Sequence, residues 1–420
     1  MCLSGTQTGP SLKSLQIMQA NHVKYPKFCV YWIGPLIPTV FTANVEIIKM
    51  LLRQPGGDNT ALTSGTKWRK HRKLLSPAFH SNTIKQYLPV FDEVSHKLLE
   101  VWSGLADSGE SVEIMKFTNS LTFDVMLRCM CSINSNCLED KDGSAYHILL
   151  RELANLVMER ICTPHYALDW MYYFTASGRK FSHYCNLAHE YSEKVIVQRR
   201  EELLKDDDGK GLTDREIREE VDASMFGGHD TTASALGYTL YCLAMHKKHQ
   251  ELCRKEIREM LVGRDTDAIT WEDVSKLSYI TMCIKESLRL YPPVPVASRL
   301  LANDCEMDGC RIPKGAMVFI GIHTVHHDPL VWDDPKKFDP LRFTTENSKK
   351  MDPFAFLPFS AGTRNCMGQQ FAMVQMKVAV AHIVNKFLLK MDTTHVVKPC
   401  LHLVLKSETG IKLKLSPAMQ

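Results

Sequence analysis

The chain has 420 residues, 45% of them apolar, 14 cysteines and a net charge of +4 with both signs interspersed. This composition supports a large globular core, and a small net charge with both signs interspersed does not point to a nucleic acid. The cysteines form no C-x-x-C pair and no regular framework, which fits a reducing, cytosol-facing compartment better than a secreted disulfide scaffold.

Residues 1–27 read as polar and irregular, with one short helix expected at Ser11–Asn21. The longest uncharged run, Phe28–Val45, reaches the length of a membrane span. Gly34, Pro35 and Pro38 interrupt it and its flanks alternate as strands do, so it predicts a β-hairpin with a proline turn. No other stretch suggests a signal peptide or spanning helix. A helix over Asn44–Arg53 ends at Gln54-Pro-Gly-Gly57, and a basic helix over Thr66–Leu75 ends at Ser76-Pro77. Helices dominate from Ile84 to about Leu203, broken at Asp140–Gly143 and Thr175–Gly178, and Lys205–Gly209 is a charged loop.

Thr213 and Glu216 form a capping box that opens a long helix reaching about His246, roughly 50 Å at 1.5 Å per residue. After Gly263–Asp267 another helix runs to Tyr291, where Pro292, Pro293 and Pro295 stop it. Short strands occupy Val296–Ile322, a proline-punctuated meander Asp328–Pro358, and two strands the region Leu401–Leu415. The expected fold is mainly α with a small β part, in one domain over 1–420. Its parts are an N-terminal β/helix region at about 28–60, a helical core at about 66–292, a meander and cysteine loop at about 328–368, and a C-terminal helix with strands at 369–420.

The stretch around which the chain is organised is Phe359-Ser-Ala-Gly-Thr-Arg-Asn-Cys-Met-Gly368. Gly362 permits a tight turn at backbone angles other residues avoid. From Gln369 an apolar run reads as a helix, so Cys366 lies on a loop feeding a helix N-terminus, where N–H groups and the helix dipole favour a thiolate. A thiolate is a strong ligand for haem iron; the plain alternative is a buried free cysteine.

Gly227-Gly-His-Asp-Thr-Thr232 sits in the middle of the long helix. Adjacent glycines cost a helix about 1 kcal/mol each, and Asp and Thr compete for its backbone bonds. Either a kink or a groove beside an acid and an alcohol explains such a sequence. Glu286 and Arg289 place opposite charges three residues apart, worth only about a few tenths of a kcal/mol if solvated. Trp68 and Arg72 share one face of the basic helix.

The cysteine loop resembles, position by position, the F-x-x-G-x-R-x-C-x-G loop of the cytochrome P-450 haem-thiolate monooxygenases, whose other landmarks follow in order over nearly the whole chain. The resemblance implies the cytochrome P-450 fold, a single haem-binding domain, and Cys366 as the axial ligand of the haem iron (haem b). It implies that Trp68, Arg72, Arg299 and Arg364 contact the haem propionates. It also implies that Asp230 and Thr231 deliver a proton to dioxygen so that the O–O bond breaks heterolytically. Glu286, Arg289 and Arg342 match the family's buried triad supporting the cysteine loop, although Leu341 stands where many members have glutamate.

Lys67–His80 and Glu220–Thr232 look like family four, the ω-hydroxylases of long-chain fatty acids and leukotrienes. The implied activity inserts one atom of O2 into a C–H bond of a long-chain fatty acid or eicosanoid, with electrons from NADPH through a flavoprotein reductase. Lys67, Arg69, Lys70 and Lys73 would steer that donor. Cytochrome b5 is a possible second donor, and the implied location is the cytosolic face of the endoplasmic reticulum membrane. Attachment would use a surface patch such as Tyr166–Phe174. Most family-four members carry a glutamate, three residues before the aspartate, that forms an ester with a haem methyl group. Here that position is Gly227, so the haem is expected to be non-covalent. Against the family, the chain lacks the N-terminal membrane helix and segments between Gln54 and Gly65 and between Leu204 and Asp206. Two rivals follow: a non-catalytic haem-binding product, and a peroxide-using haem-thiolate isomerase or lyase. The pair Asp230-Thr231 argues against the second.

Overall fold

The computed structural model describes residues 12–33, 37–53, 65–133, 137–138, 141–203 and 213–418. Helix α1 (Leu12–Lys24) leads into strands β1 (Cys29–Ile33) and β2 (Ile37–Thr42), then α2 (Val45–Arg53) and α3 (Gly65–Leu75). The helical body comprises α4 (Ser81–Ser108), α5 (Ile114–Cys131), α6 (Lys141–Cys162), α7 (Asp169–Phe174), α8 (Ala176–Leu203) and α9 (Asp214–Met245). A short strand β3 (Ser111–Glu113) lies between α4 and α5. Next come α10 (Lys247–Leu261), α11 (Trp271–Lys276) and α12 (Ser278–Leu290), then β4 (Val296–Leu300), β5 (Cys305–Met307), β6 (Cys310–Ile312), β7 (Met317–Gly321) and α13 (Ile322–His326). The chain closes with α14 (Thr345–Lys350), α15 (Gln369–Lys386), β8 (Phe387–Met391), β9 (Pro399–Cys400), β10 (Lys406–Ser407) and β11 (Lys412–Pro417).

The uncharged run near the N-terminus is an antiparallel hairpin, with Val30 opposite Val40 and Trp32 opposite Pro38; its turn at Gly34–Pro35 lies outside the described residues. No described helix is long and apolar enough to cross a membrane. The capping box forms as read: Glu216 N–H donates to Thr213 Oγ1 at 3.3 Å and Thr213 N–H to the Glu216 carboxylate at 3.0 Å. Several boundaries differ: the helix expected up to Tyr291 is split into α11 and α12, and the strands expected at Leu401–Leu415 are β9, β10 and β11. The expected break at Asp140–Gly143 is helical from Lys141, and the segment after His246 is a helix of its own, α10. In α10 most charged residues face solvent, while Gln250, Cys253, Arg254 and Ile257 supply the buried stripe. The shortened segments after Gln54 and Leu204, and the loop Lys205–Gly209, lie outside the described residues.

The main core joins α4, α5, α9, α12 and α15 through buried residues such as Leu98, Trp102, Val125, Leu236, Ile284 and Val380. Each fully buried aliphatic side chain contributes about 1.5–3 kcal/mol of transfer free energy. Phe371, in the first turn of α15, meets Phe79, Tyr87 and Phe91 edge-on at ring separations of 6.3, 5.9 and 5.0 Å. The helix leaving the cysteine loop is thereby fixed against α4. A four-stranded sheet in the order β1-β2-β7-β4 packs on α2 and brings Arg299 of β4 beside that loop.

Candidate active site

Residues distant in sequence converge around the cysteine loop. Cys366 N–H donates to the Phe359 carbonyl at 2.9 Å and closes the loop. Gly362 has φ +75°, and a Cβ there would lie 2.0 Å from the Leu52 carbonyl oxygen of α2. Both the turn and the close approach demand glycine. Gly368 shows only ordinary clearance, 3.7 Å to Phe79. From α3, Arg72 donates to the Asn365 carbonyl and side chain, both at 2.7 Å. Arg364 stacks on the Trp68 ring at 3.8 Å. From β4, Arg299 donates to Ser360 Oγ at 3.2 Å and to the Ser298 carbonyl at 2.8 Å.

Desolvation opposes the thiolate expected at Cys366. Cys366 is solvent-accessible, yet protein surrounds it densely enough for desolvation to push its thiol pKa up. The Gly368 N–H and the Arg72 charge pull it only partly back. A coordinated metal ion removes this obstacle, since it deprotonates a thiol outright.

The donor set fits a haem. One thiol is available for the iron. Arg299 is only 6% exposed, and burial, then the charge of nearby Arg364, pull its guanidinium below the usual range. Two cations held this close are stabilised by anions between or beside them, as propionates provide.

A second group lies on α9. Asp230 is buried and pairs with Lys406 of β10, whose Nζ lies 2.8 Å from Oδ1 at an angle poor for a hydrogen bond. Sequence reasoning missed Lys406, because nothing local marks a lysine of a two-residue strand. Thr231 donates to the Gly227 carbonyl at 2.7 Å from a partly exposed position, whereas Thr232 is 4% exposed and bonds Gly228. Gly227 and Thr231 are one turn apart on the accessible face of α9, which Thr232 does not share.

Gly227 has open space where a side chain would project, while a Cβ on Gly228 would meet Met126 at 2.5 Å. Asp222 is held by Ser192 and faces α8. No carboxylate is therefore offered at position 227. Acid and organic solvent are expected to extract haem completely, leaving a polypeptide of apoprotein mass. Gly227→Glu is expected to retain a covalent haem adduct after turnover. Haem that survives denaturation on the parent chain counts against this reading.

The third group is buried beneath the meander. Glu286 and Arg289 of α12, both 0% exposed, form a bidentate pair with two 2.8 Å contacts. Burial pushes the Glu286 carboxyl up, against the pull of Arg289. Arg289 also donates to the carbonyls of His326, Pro335 and Lys337 at 2.8, 2.7 and 3.0 Å. Arg342 stands farther off, its Nε 3.5 Å from Glu286. A residue the sequence reading overlooked completes the link: His326 donates from Nδ1 to the Arg289 carbonyl at 3.2 Å and accepts the Leu357 N–H on Nε2 at 2.8 Å. Leu357 is two residues before Phe359, which holds Cys366.

The basic helix departs from expectation. Lys67 pairs with Glu219 at 2.5 Å, Lys70 with Glu216 at 3.3 Å, and His71 contacts Glu216 and Glu220 at 3.2 and 2.5 Å. These contacts fasten α3 to the start of α9 and neutralise two of the four cations read as steering charge. Arg69 and Lys73 are exposed.

This geometry agrees with comparisons to known proteins. Residues 4–415 match the family "Cytochrome P450". The chain is 37% identical to human cytochrome P450 4F12 and to mouse leukotriene-B4 omega-hydroxylase 3, each over 98% of this chain and 86% of the relative. It is 39% identical to rat cytochrome P450 4F6 over 92% of this chain and 80% of that protein. A crystal structure titled as a cytochrome P450, CYP102L1, superposes with a TM-score of 0.85 at 23% identity, covering 96% of this chain and 94% of that one. A thiol loop braced by arginines, on a fold shared with a solved cytochrome P450 and a sequence shared with such relatives, has one consistent interpretation: the chain belongs to the cytochrome P450 family, haem-dependent monooxygenases that use O2 and NADPH-derived electrons from a reductase.

Proposed function

We propose that this monooxygenase hydroxylates a long-chain fatty acid or eicosanoid near its methyl end. The observation that carries the reading is the 37% identity, over 98% of the chain, to a mouse leukotriene-B4 omega-hydroxylase. The overall change is RH + O2 + NADPH + H⁺ to ROH + H2O + NADP⁺. Bound haem supplies the iron that activates dioxygen.

The protein residues hold and protonate. Cys366 would hold the haem iron through its sulfur. Trp68, Arg299 and Arg364 would bind the propionates, and Arg72 fixes the loop through Asn365. Glu286, Arg289 and Arg342 brace the meander. Asp230, paired with Lys406, and the Thr231 hydroxyl together form the proton-delivery pair. Thr231 acts by releasing its bond to the Gly227 carbonyl, which places its Oγ1 in the accessible space beside α9.

A reduced CO difference spectrum of the thiolate type, followed by reductase- and NADPH-dependent turnover of a saturated long-chain fatty acid and of leukotriene B4, tests the function. Terminal hydroxylation is expected. A normal spectrum with no oxygenated product from either compound overturns the proposal.

Thr231→Ala is expected to retain haem and substrate binding while product formation falls ~10²-fold and NADPH electrons appear as hydrogen peroxide. Equal product per NADPH in variant and parent removes Thr231 from the relay.

Attachment to the cytosolic face of the endoplasmic reticulum, and cytochrome b5 as a second donor, belong to the same proposal. Support for membrane contact comes from α7 and its approach. Leu168, Trp170 and Phe174 are 52%, 65% and 78% exposed, whereas Tyr172 is core. Trp170→Ser with Phe174→Ser is expected to weaken binding to phospholipid vesicles; unchanged partitioning excludes this patch.

A further inference from the structure

Among the described residues, one group of side chains outside the site above has the composition and spacing of a metal centre. Asp92 and His96 lie one turn apart on α4, His382 projects from α15, and Asp267 comes from the loop joining α10 to α11. The ligand atoms of Asp92, His96 and His382 all lie within 4.8 Å of one another.

Ordinary hydrogen bonding accounts for the contact of His382 with Asp92 but not for the placement of His96. His96 Nε2 lies 3.5 Å from Asp92 Oδ2 and 3.6 Å from Asp267 Oδ1. One imidazole nitrogen carries one proton at most, and neither separation is a good hydrogen bond. Both are close to the edge of a tetrahedron built on 2.0–2.1 Å metal–ligand bonds, about 3.4 Å. His382 Nε2 contacts Asp92 Oδ1 at 2.7 Å, and turning this imidazole away from the carboxylate would present it as the fourth ligand. The Ile269 N–H donates to Asp92 Oδ1 at 3.1 Å and leaves Oδ2 for a ligand, the kind of outer contact that orients metal-binding carboxylates.

We propose that Asp92, His96, His382 and Asp267 bind a tetrahedrally coordinated divalent cation of the zinc class. Two carboxylates and two neutral imidazoles match its charge and its preference for nitrogen and oxygen ligands. Access is from solvent: the side chains of His96 and Asp267 are 34% and 53% exposed, while that of His382 is 2% exposed. The ion would tie α4, α15 and the 262–270 loop together. Because α15 starts three residues after Cys366, the cation would act as a staple on the helix that supports the haem-binding loop.

The test uses the haem-loaded protein, treated with chelator and titrated with zinc chloride by calorimetry while thermal unfolding is followed. One saturable equivalent is expected, with the unfolding midpoint rising by about 2–4 °C at hundredfold excess over the dissociation constant and returning on chelation. His96→Asn and Asp267→Asn, both at exposed positions, are expected to weaken binding at least about tenfold and to abolish the shift with an unaltered haem spectrum. His382→Gln tests the buried ligand. Absence of a one-equivalent site in the parent, or equal zinc affinity in parent, His96→Asn and Asp267→Asn, overturns the proposal.

Discussion

Replacing Cys366 by alanine or histidine is expected to abolish the thiolate-type CO spectrum and all NADPH-dependent oxygenation. Among the described residues no other cysteine has a comparable setting. Cys129, Cys131, Cys137, Cys242, Cys253, Cys283 and Cys400 are buried, and burial raises the thiols of Cys129 and Cys242 far above their ordinary value. Cys366 alone combines accessibility with the Gly368 N–H and the Arg72 charge on its sulfur. Histidine at this position offers a neutral nitrogen, so bound haem is expected to give a nitrogen-ligated spectrum. The fold is expected to survive, because the side chain supplies no core packing and the loop is closed by the Cys366 backbone N–H. A persistent thiolate-type band in either variant disproves the assignment.

The second large effect is expected at the buried ion pair. Removing one partner of such a pair costs about 3–5 kcal/mol, because the other charge is left without compensation. Arg289→Ala strands Glu286 at 0% exposure and also strips donors from two meander carbonyls and from that of His326. Arg289→Lys is no remedy, since an ammonium cannot reproduce the bidentate fork. Arg342→Ala is expected to cost only about 1 kcal/mol, given a 3.5 Å approach and a 14% exposed side chain. Denaturant unfolding and haem content of the purified variants give the comparison. Arg289→Ala is expected to yield little haem-loaded protein, and Arg342→Ala a nearly normal amount. Equal losses in the two variants would show that the meander does not depend on Arg289 as described. The asymmetry also refines the triad: Arg289 carries most of its bonds, and His326 relays it to Leu357.

The contacts of α3 show why some charges cannot be assigned from sequence. Lys67, Lys70 and His71 lie in one basic stretch, yet their partners Glu216, Glu219 and Glu220 are roughly 150 residues away. Burial opposes the charged His71 imidazole, yet its hydrogen bonds to the Glu220 and Glu216 carboxylates hold it above its ordinary pKa. A run of lysines reads as a solvated docking face until the fold supplies carboxylates opposite it. The patch near Trp170 shows the converse. Five neighbouring apolar residues could all be core, and only packing separates buried Tyr172 from exposed Trp170 and Phe174.

What the chain determined by itself was local chemistry at fixed spacing. The Thr213–Glu216 capping box, the hairpin, the glycine at 362 and the cysteine four residues later each depend on backbone angles or neighbours within one or two turns. Such rules act before any tertiary contact forms. The missing carboxylate at Gly227 was legible for the same reason. What only the tertiary structure decided was every pairing across the core: Asp230 with Lys406, Arg289 with His326 and the meander carbonyls, Arg299 with Ser360, and Asp92 with His382. These pairs join residues tens to hundreds of positions apart. Their geometry follows from how α9, α12 and α15 pack, and no local pattern carries that information. The protonation tendency of Cys366 belongs here too, since desolvation by the surrounding fold outweighs the helix N-terminus that the sequence placed beside it.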